Sequence, residues 1–221
     1  MDLKDVYDQI DFYTRKNGWG LVTIADKDRI VDRVQIDLMG EIKPAYGSNQ
    51  TVNDALLPFR KPQTFNNGTS ANGTITLNED YVHLLAASTV VLANGKTRNP
   101  NIELVREDQL ASRLDSALVP VSVMNPIALL IAPVAVGGQY RLQLYPESPA
   151  AGTIYYLRKP QEVNFYYSQV GRVITYNISQ SDQLEWNEPM TNKIILKTLQ
   201  GLGINLQDVG LVQYAQAKEG S

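Results

Sequence analysis

The chain has no cysteine among its 221 residues and one histidine, His83. The first absence removes disulfides, thiolate nucleophiles and cysteine-held metal sites together, and fits assembly in a reducing cytoplasm. The second leaves imidazole chemistry to a residue in the strand-like run Tyr81-Val82-His83-Leu84-Leu85. With no second histidine, a structural role is expected for it over a triad base or a zinc ligand. Long apolar runs are also missing. The longest, Ile127 to Val136, contains Pro133 and falls far short of the roughly 20 residues a membrane helix needs. The start, Met1-Asp2-Leu3-Lys4-Asp5, lacks the basic opening and continuous apolar stretch of a signal peptide, so a soluble, non-exported chain with no membrane partner is expected.

There is no excess of positive charge either. With 20 basic and 23 acidic residues the formal net charge is -3, so phosphate neutralisation does not drive binding and no sequence-specific nucleic-acid contact is expected. No Gly-x-Ser-x-Gly and no Gly-x4-Gly-Lys-Ser/Thr occurs; Gly18-Trp19-Gly20 and Gly201-Leu202-Gly203 are fragments that read as helix ends. Asp26 with Asp28, and Glu185 with Glu188, stand at helix starts, where negative charge favours the macrodipole, and capping is expected of them over paired acid-base work. Asn49, Asn67, Asn72 and Asn177 each open an Asn-x-Ser/Thr triplet that turn chemistry explains. The inventory assigns no catalytic, cofactor-binding or metal-ligating residue, and no enzyme is expected.

What is present is an ordinary apolar fraction of 43% arranged in periodic segments. Leu3, Val6, Ile10 and Tyr13 recur at helical spacing up to Asn17-Gly18, and Thr23 caps a second helix whose stripe is Ile30, Val31, Val34, Leu38 and Ile42, ended by Pro44. Asn187 followed by Glu188-Pro189 opens another helix running to Gly203, with a last one over about 206 to 218. Between them, short strand-like runs begin at Thr74 and go on through Ile127 to Val136, Gln139 to Tyr145, Gly152 to Arg158, Glu162 to Ser168 and Arg172 to Asn177, broken by one short helix near 107–116 whose Leu110 and Leu114 share a face at i, i+4. Spacings that short favour antiparallel hairpins.

These patterns give an α+β fold. Residues 1–43 and 181–221 form a helical lobe, 74–180 a β-rich meander or small sandwich, and 44–73 an extended loop or arm anchored by Leu56-Leu57-Pro58-Phe59. Twelve tyrosines include the pairs Tyr155-Tyr156 and Tyr166-Tyr167. In a strand each pair sends one ring to the core and one to the opposite face, which suits a protein interface or a carbohydrate platform.

Several stretches together resemble one family, structural proteins of the head-to-tail connector and its rings in tailed phages of Bacteroidetes, including the crAss-like podoviruses. They are Asp54-Ala55-Leu56-Leu57-Pro58-Phe59, Asp80 to Ala87, Arg106 to Leu118, Asn125-Pro126-Ile127-Ala128, Leu144-Tyr145-Pro146, Tyr156 to Pro160, Gln183-Leu184-Glu185-Trp186, Leu202 to Leu206 and Gln213-Tyr214-Ala215. None is a catalytic signature. The resemblance implies a virion protein of the neck or tail, assembled in the host cytoplasm. It further implies a ring of about twelve copies with heterologous contacts between neighbours. Its partners would be the portal and the adjacent tail or ring proteins, around the DNA exit channel. The alternative is a tail-hub or host-attachment module with a glycan-binding β domain.

Overall fold

The computed structural model describes residues 1–16, 22–66, 72–93, 95–133, 137–147, 151–170 and 173–204. In chain order it contains α1 (Leu3–Lys16), α2 (Ile24–Ile42), α3 (Gln50–Leu56), β1 (Arg60–Asn66), β2 (Thr74–Thr76), β3 (Tyr81–Ala93), β4 (Lys96–Arg98), β5 (Glu103–Val105), α4 (Glu107–Leu114), β6 (Ile127–Ile131), β7 (Arg141–Tyr145), β8 (Ala151–Arg158), β9 (Tyr167–Val170), β10 (Val173–Tyr176) and α5 (Glu188–Gly201). Two compact units result: Met1–Pro58 with Pro160–Ser221, and Phe59–Lys159. No helix among the described residues is long and apolar enough to cross a membrane.

The first unit is built by helices from both chain ends. Asp2 and Asp5 cap the start of α1 reciprocally, each backbone N–H donating to the other's carboxylate at 3.3 and 2.8 Å. Leu3, Val6, Tyr7, Ile10 and Thr14 form its buried face; Tyr13, placed on that stripe by spacing, is half-buried. Thr23 caps α2 by accepting the Asp26 N–H at 3.2 Å. Val31, Val34, Gln35, Leu38 and Met39 face inward, with Ile30 and Ile42 at the margins of the stripe. Asn187 accepts the Met190 N–H at 3.2 Å, Pro189 occupies the first turn, and Met190, Ile194, Ile195 and Leu199 pack α5 against α1 and α2. The helix expected over 206–218 lies outside the described residues.

The second unit holds two four-stranded sheets, in the orders β1-β8-β3-β4 and β2-β7-β6-β5. Phe65, Ala87, Ile154 and Tyr156 from the first share one buried cluster with Ile75, Ala128, Leu142 and Leu144 from the second, so the sheets form a small sandwich. β5 pairs with β6 in parallel, against the expected hairpin pattern. The 21 residues between the two strands include α4, long enough for a crossover connection.

The expected arm over 44–73 has structure across most of its described length. Asn49 caps α3, accepting the N–H groups of Thr51 and Val52 at 2.9 and 3.4 Å. Leu56 and Phe59 are fully buried while Leu57 is exposed. β1 then pairs with β8 over seven residues, from Arg60↔Leu157 to Asn66↔Ala151. Its sequence Arg-Lys-Pro-Gln-Thr-Phe-Asn reads as loop because it is a polar edge strand, the place in a sheet where Pro62 is tolerated. Asn49→Ala is expected to cost about 1 kcal/mol through the lost cap, measurable as a lower denaturation midpoint at unchanged slope.

Residues 160–180, which the pattern places in the β lobe, belong to the helical unit. The run Glu162 to Ser168 does not form a strand as a whole: Val163 and Phe165 turn their backbone N–H groups to carboxylates of α2, and the β9–β10 hairpin begins at Tyr167.

Candidate interaction surfaces

Two polar clusters bring carboxylates together with other titratable groups, one in each unit. In the helical unit, Asp28 and Asp32 stand one turn apart on α2 and take alternate backbone N–H groups of the facing segment. Phe165 donates to Asp28, and Val163 donates to Asp32 at 2.8 Å. The Tyr7 hydroxyl also donates to Asp28, and its ring stacks on Phe165 with centroids 5.1 Å apart. Gln35 continues the ladder, accepting the Trp186 indole N–H at 3.1 Å. Burial pushes the pKa values of Asp28 and Asp32 up, against the hydrogen bonds they accept, and burial together with Asp28 pushes Tyr7 up.

Of the carboxylates read as caps, Asp26 lies in the first turn of α2 and accepts the Thr23 hydroxyl at 2.5 Å, whereas Asp28 serves this clamp. Glu188 lies in the first turn of α5, and Glu185 accepts the Gln161 N–H at 3.1 Å. Lys27, 4% exposed, pairs with Asp11 at 2.6 Å, so its buried charge is compensated.

In the sandwich, Tyr156 is fully buried. Its hydroxyl donates to Asp80 at 2.8 Å and accepts from Asn78 Nδ2 at 2.8 Å, while Lys61 Nζ meets the other Asp80 oxygen at 2.6 Å. Burial alone would raise the Asp80 pKa, but the bonds from Lys61 and Tyr156 outweigh it and hold the carboxyl below its ordinary range. Each donor in this cluster meets an acceptor, so its chemistry is cohesive. His83 is exposed on β3, in register with Leu157. Among the described residues no group of three or more His, Asp or Glu side chains is placed to hold a metal ion.

The tyrosine pairs divide. Tyr156 enters the core and Tyr155 lies under the Arg60 guanidinium, 4.8 Å from the ring centroid. Tyr166 and Tyr167 are both exposed, because β9 starts only at the second of them and the alternation does not reach Tyr166. The two pairs also fall in different units.

Outside these clusters the molecule shows water an unusual set of apolar groups. α4 buries none of its residues; its Leu110 and Leu114 lie i, i+4 on one face, the first half-buried and the second 41% exposed. Leu104 on β5 and Leu118, Val119 and Val123 after α4 are exposed as well, Leu118 at 95%. This stretch is tied down: Arg113 donates twice to Glu103, at 3.0 and 2.9 Å, and once to the Val119 carbonyl at 2.5 Å. Elsewhere Leu92 on β3, 75% exposed, Val170 on β9, 79% exposed, and Phe12 on α1, 63% exposed, project from their elements.

Amphipathic spacing of Leu110 and Leu114 was visible in sequence, but the degree of their exposure was not, since spacing marks an apolar face without saying whether the same chain packs on it. No protein-family model matches the chain, and no curated protein matches it either.

Proposed function

We propose that the chain is a non-enzymatic virion structural protein, a ring subunit in the head-to-tail connector of a tailed phage that bridges portal and tail components around the DNA exit channel. The observation that carries an assembly role is α4 and its surroundings. Leu104, Leu110, Leu114, Leu118, Val119 and Val123 are exposed or half-exposed on a segment that Arg113 holds in place. A lone exposed leucine is ordinary, but an ordered run of them is the composition of an interface core. The placement in a phage neck rests on the sequence resemblance. In such a ring each copy meets its neighbours through two different surfaces, and many weak contacts add up to a stable assembly.

The test is the native mass of the purified chain, alone and mixed with the portal protein, followed by imaging of any large species. A closed ring, spontaneous or portal-dependent, is the expected result. A monomer that ignores the portal would overturn the connector reading in favour of a hub or attachment module.

A further inference from the structure

We propose that copies of this chain join head to tail through the β9–β10 hairpin, the outer edge of β9 in one copy adding to the outer edge of β10 in the next, so that one antiparallel sheet runs from subunit to subunit. The proposal rests on the ring reading above and names one of its contacts.

A hairpin of two strands is marginal in water and becomes stable when further strands or a packed face join it. β9 and β10 pair over four residues, from Tyr167↔Tyr176 to Val170↔Val173, and among the described residues no third strand lies beside either of them. The base of the hairpin is held: the Phe165 ring stacks on Tyr7 of α1 and lies 4.5 Å from Tyr176, centroid to centroid. Beyond that anchor all four residues of β9 are exposed, as are Thr175 and Ile178.

The other sheet edges of the molecule carry devices that this one lacks. β1 has Pro62 with Arg60 and Lys61. β4 has Lys96 and Arg98. The outer side of β2 is covered by Gln63, which donates to the Thr76 carbonyl at 2.8 Å and accepts the Asn78 N–H at 3.2 Å. β5 is three residues long, and Ile102 just before it donates to the Ala87 carbonyl of β3 at 2.8 Å. Prolines, charges, side-chain covers and short strands keep an edge from pairing with another chain. Residues 163–180 contain no proline and a single charged residue, Arg172, in the connection between the strands. A hairpin left open in a chain whose other four sheet edges are closed is built to be extended.

The occupant is a second copy, because the hairpin holds both halves of the contact. β9 and β10 are antiparallel, and successive copies round a ring keep the same strand sense, so the β10 of one subunit is antiparallel to the β9 it meets. Neither strand carries a charge that would repel the other. Repetition round a closed ring leaves no edge open. A two-fold pairing of β9 with β9 would leave both β10 edges bare.

The full-length chain has no cysteine, so single introduced thiols report on the contact alone. Tyr166, Ser168 and Val170 are exposed at period two on β9 and its lead-in, and Thr175 is exposed on β10, on the face of its partner Ser168. A ring fixes which face of the sheet points inward, so only a residue of that set can stand opposite Thr175 of the next copy. Tyr166→Cys, Ser168→Cys and Val170→Cys are each mixed in equal amounts with Thr175→Cys, with portal if the wild-type ring requires it, and oxidised mildly once native mass shows the ring. One of the three mixtures is expected to yield a covalent dimer at about a quarter of the joints, since a joint needs one variant on each side. Each variant alone is expected to yield about tenfold less, because like thiols then lie two strands apart, about 10 Å, beyond disulfide reach. A dimer from a β9 variant alone would overturn the head-to-tail pairing. Rings that give no dimer in any mixture would overturn this contact and leave the ring reading standing. A wild-type chain that is monomeric at the highest soluble concentration, with and without portal, would overturn both.

Discussion

Gly152→Ala is expected to destabilise the sandwich by about 3 kcal/mol, among the largest losses a single methyl group can cause. Gly152 lies inside β8, paired with Phe65 on β1 and Thr89 on β3. A Cβ at this position would lie well inside van der Waals contact of both the Ser88 carbonyl oxygen and the Phe65 ring. The Phe65 ring is buried in the sandwich core, and the Ser88 carbonyl belongs to the backbone of the paired strand β3, so neither can swing aside. Thermal unfolding is expected about 15 °C lower for a unit of this size. Adding Phe65→Ala is not expected to rescue the variant, because the clash with the backbone carbonyl remains and a cavity is created. A Gly152→Ala protein that melts within 2 °C of wild type would show that β8 and β3 are less closely apposed than described.

Position 152 also shows what the sequence reveals and conceals. The run Gly152 to Arg158 reads as a strand from its residues, and the glycine as its boundary; that the glycine is a close-approach point needs the two neighbouring strands. The helices were legible because their signals are local. Thr23 and Asn187 cap where the sequence places them, and the stripes of α1, α2 and α5 follow from spacing. β1 escaped because an edge strand owes its existence to backbone bonds with β8 and needs no apolar alternation of its own. The parallel pairing of β5 and β6 escaped because the helix between them was read as an interruption and not as a crossover. Asp28 and Asp32 were read as capping candidates or not at all, since their partners Val163 and Phe165 lie more than 130 residues away in the chain. For function, the balance was similar: motif absences are local and readable, whereas the degree to which Leu110 and Leu114 are exposed is visible only in the folded unit.

The second large effect concerns Tyr156, whose replacement by alanine is expected to cost about 4 kcal/mol, the loss typical of a buried aromatic ring. Tyr156→Phe keeps the ring and isolates the hydroxyl. It leaves Asn78 without its acceptor and Asp80 without one of its donors, at about 1 to 3 kcal/mol. The Lys61–Asp80 pair itself contributes little, since both side chains are partly exposed, at 44% and 31%. Its pH dependence is nevertheless diagnostic. The Asp80 carboxyl is held below its ordinary range in the folded state, so its contribution is complete above the unfolded value of about 3.9. It then disappears as pH falls through the lower, folded value. The stability difference between wild type and Asp80→Asn should therefore be largest near neutrality and shrink progressively below pH 4. Asp28 and Asp32 have the opposite sign, their pKa values being raised by burial, so their carboxylates oppose folding at neutral pH and cease to do so on acidification. Hydrogen exchange resolved by segment separates the two: on acidification β8 and β3 should lose protection in wild type relative to Asp80→Asn, while α2 should not. Equal behaviour of wild type and Asp80→Asn across the whole range would show that the tyrosine–carboxylate bond does not stabilise the sandwich.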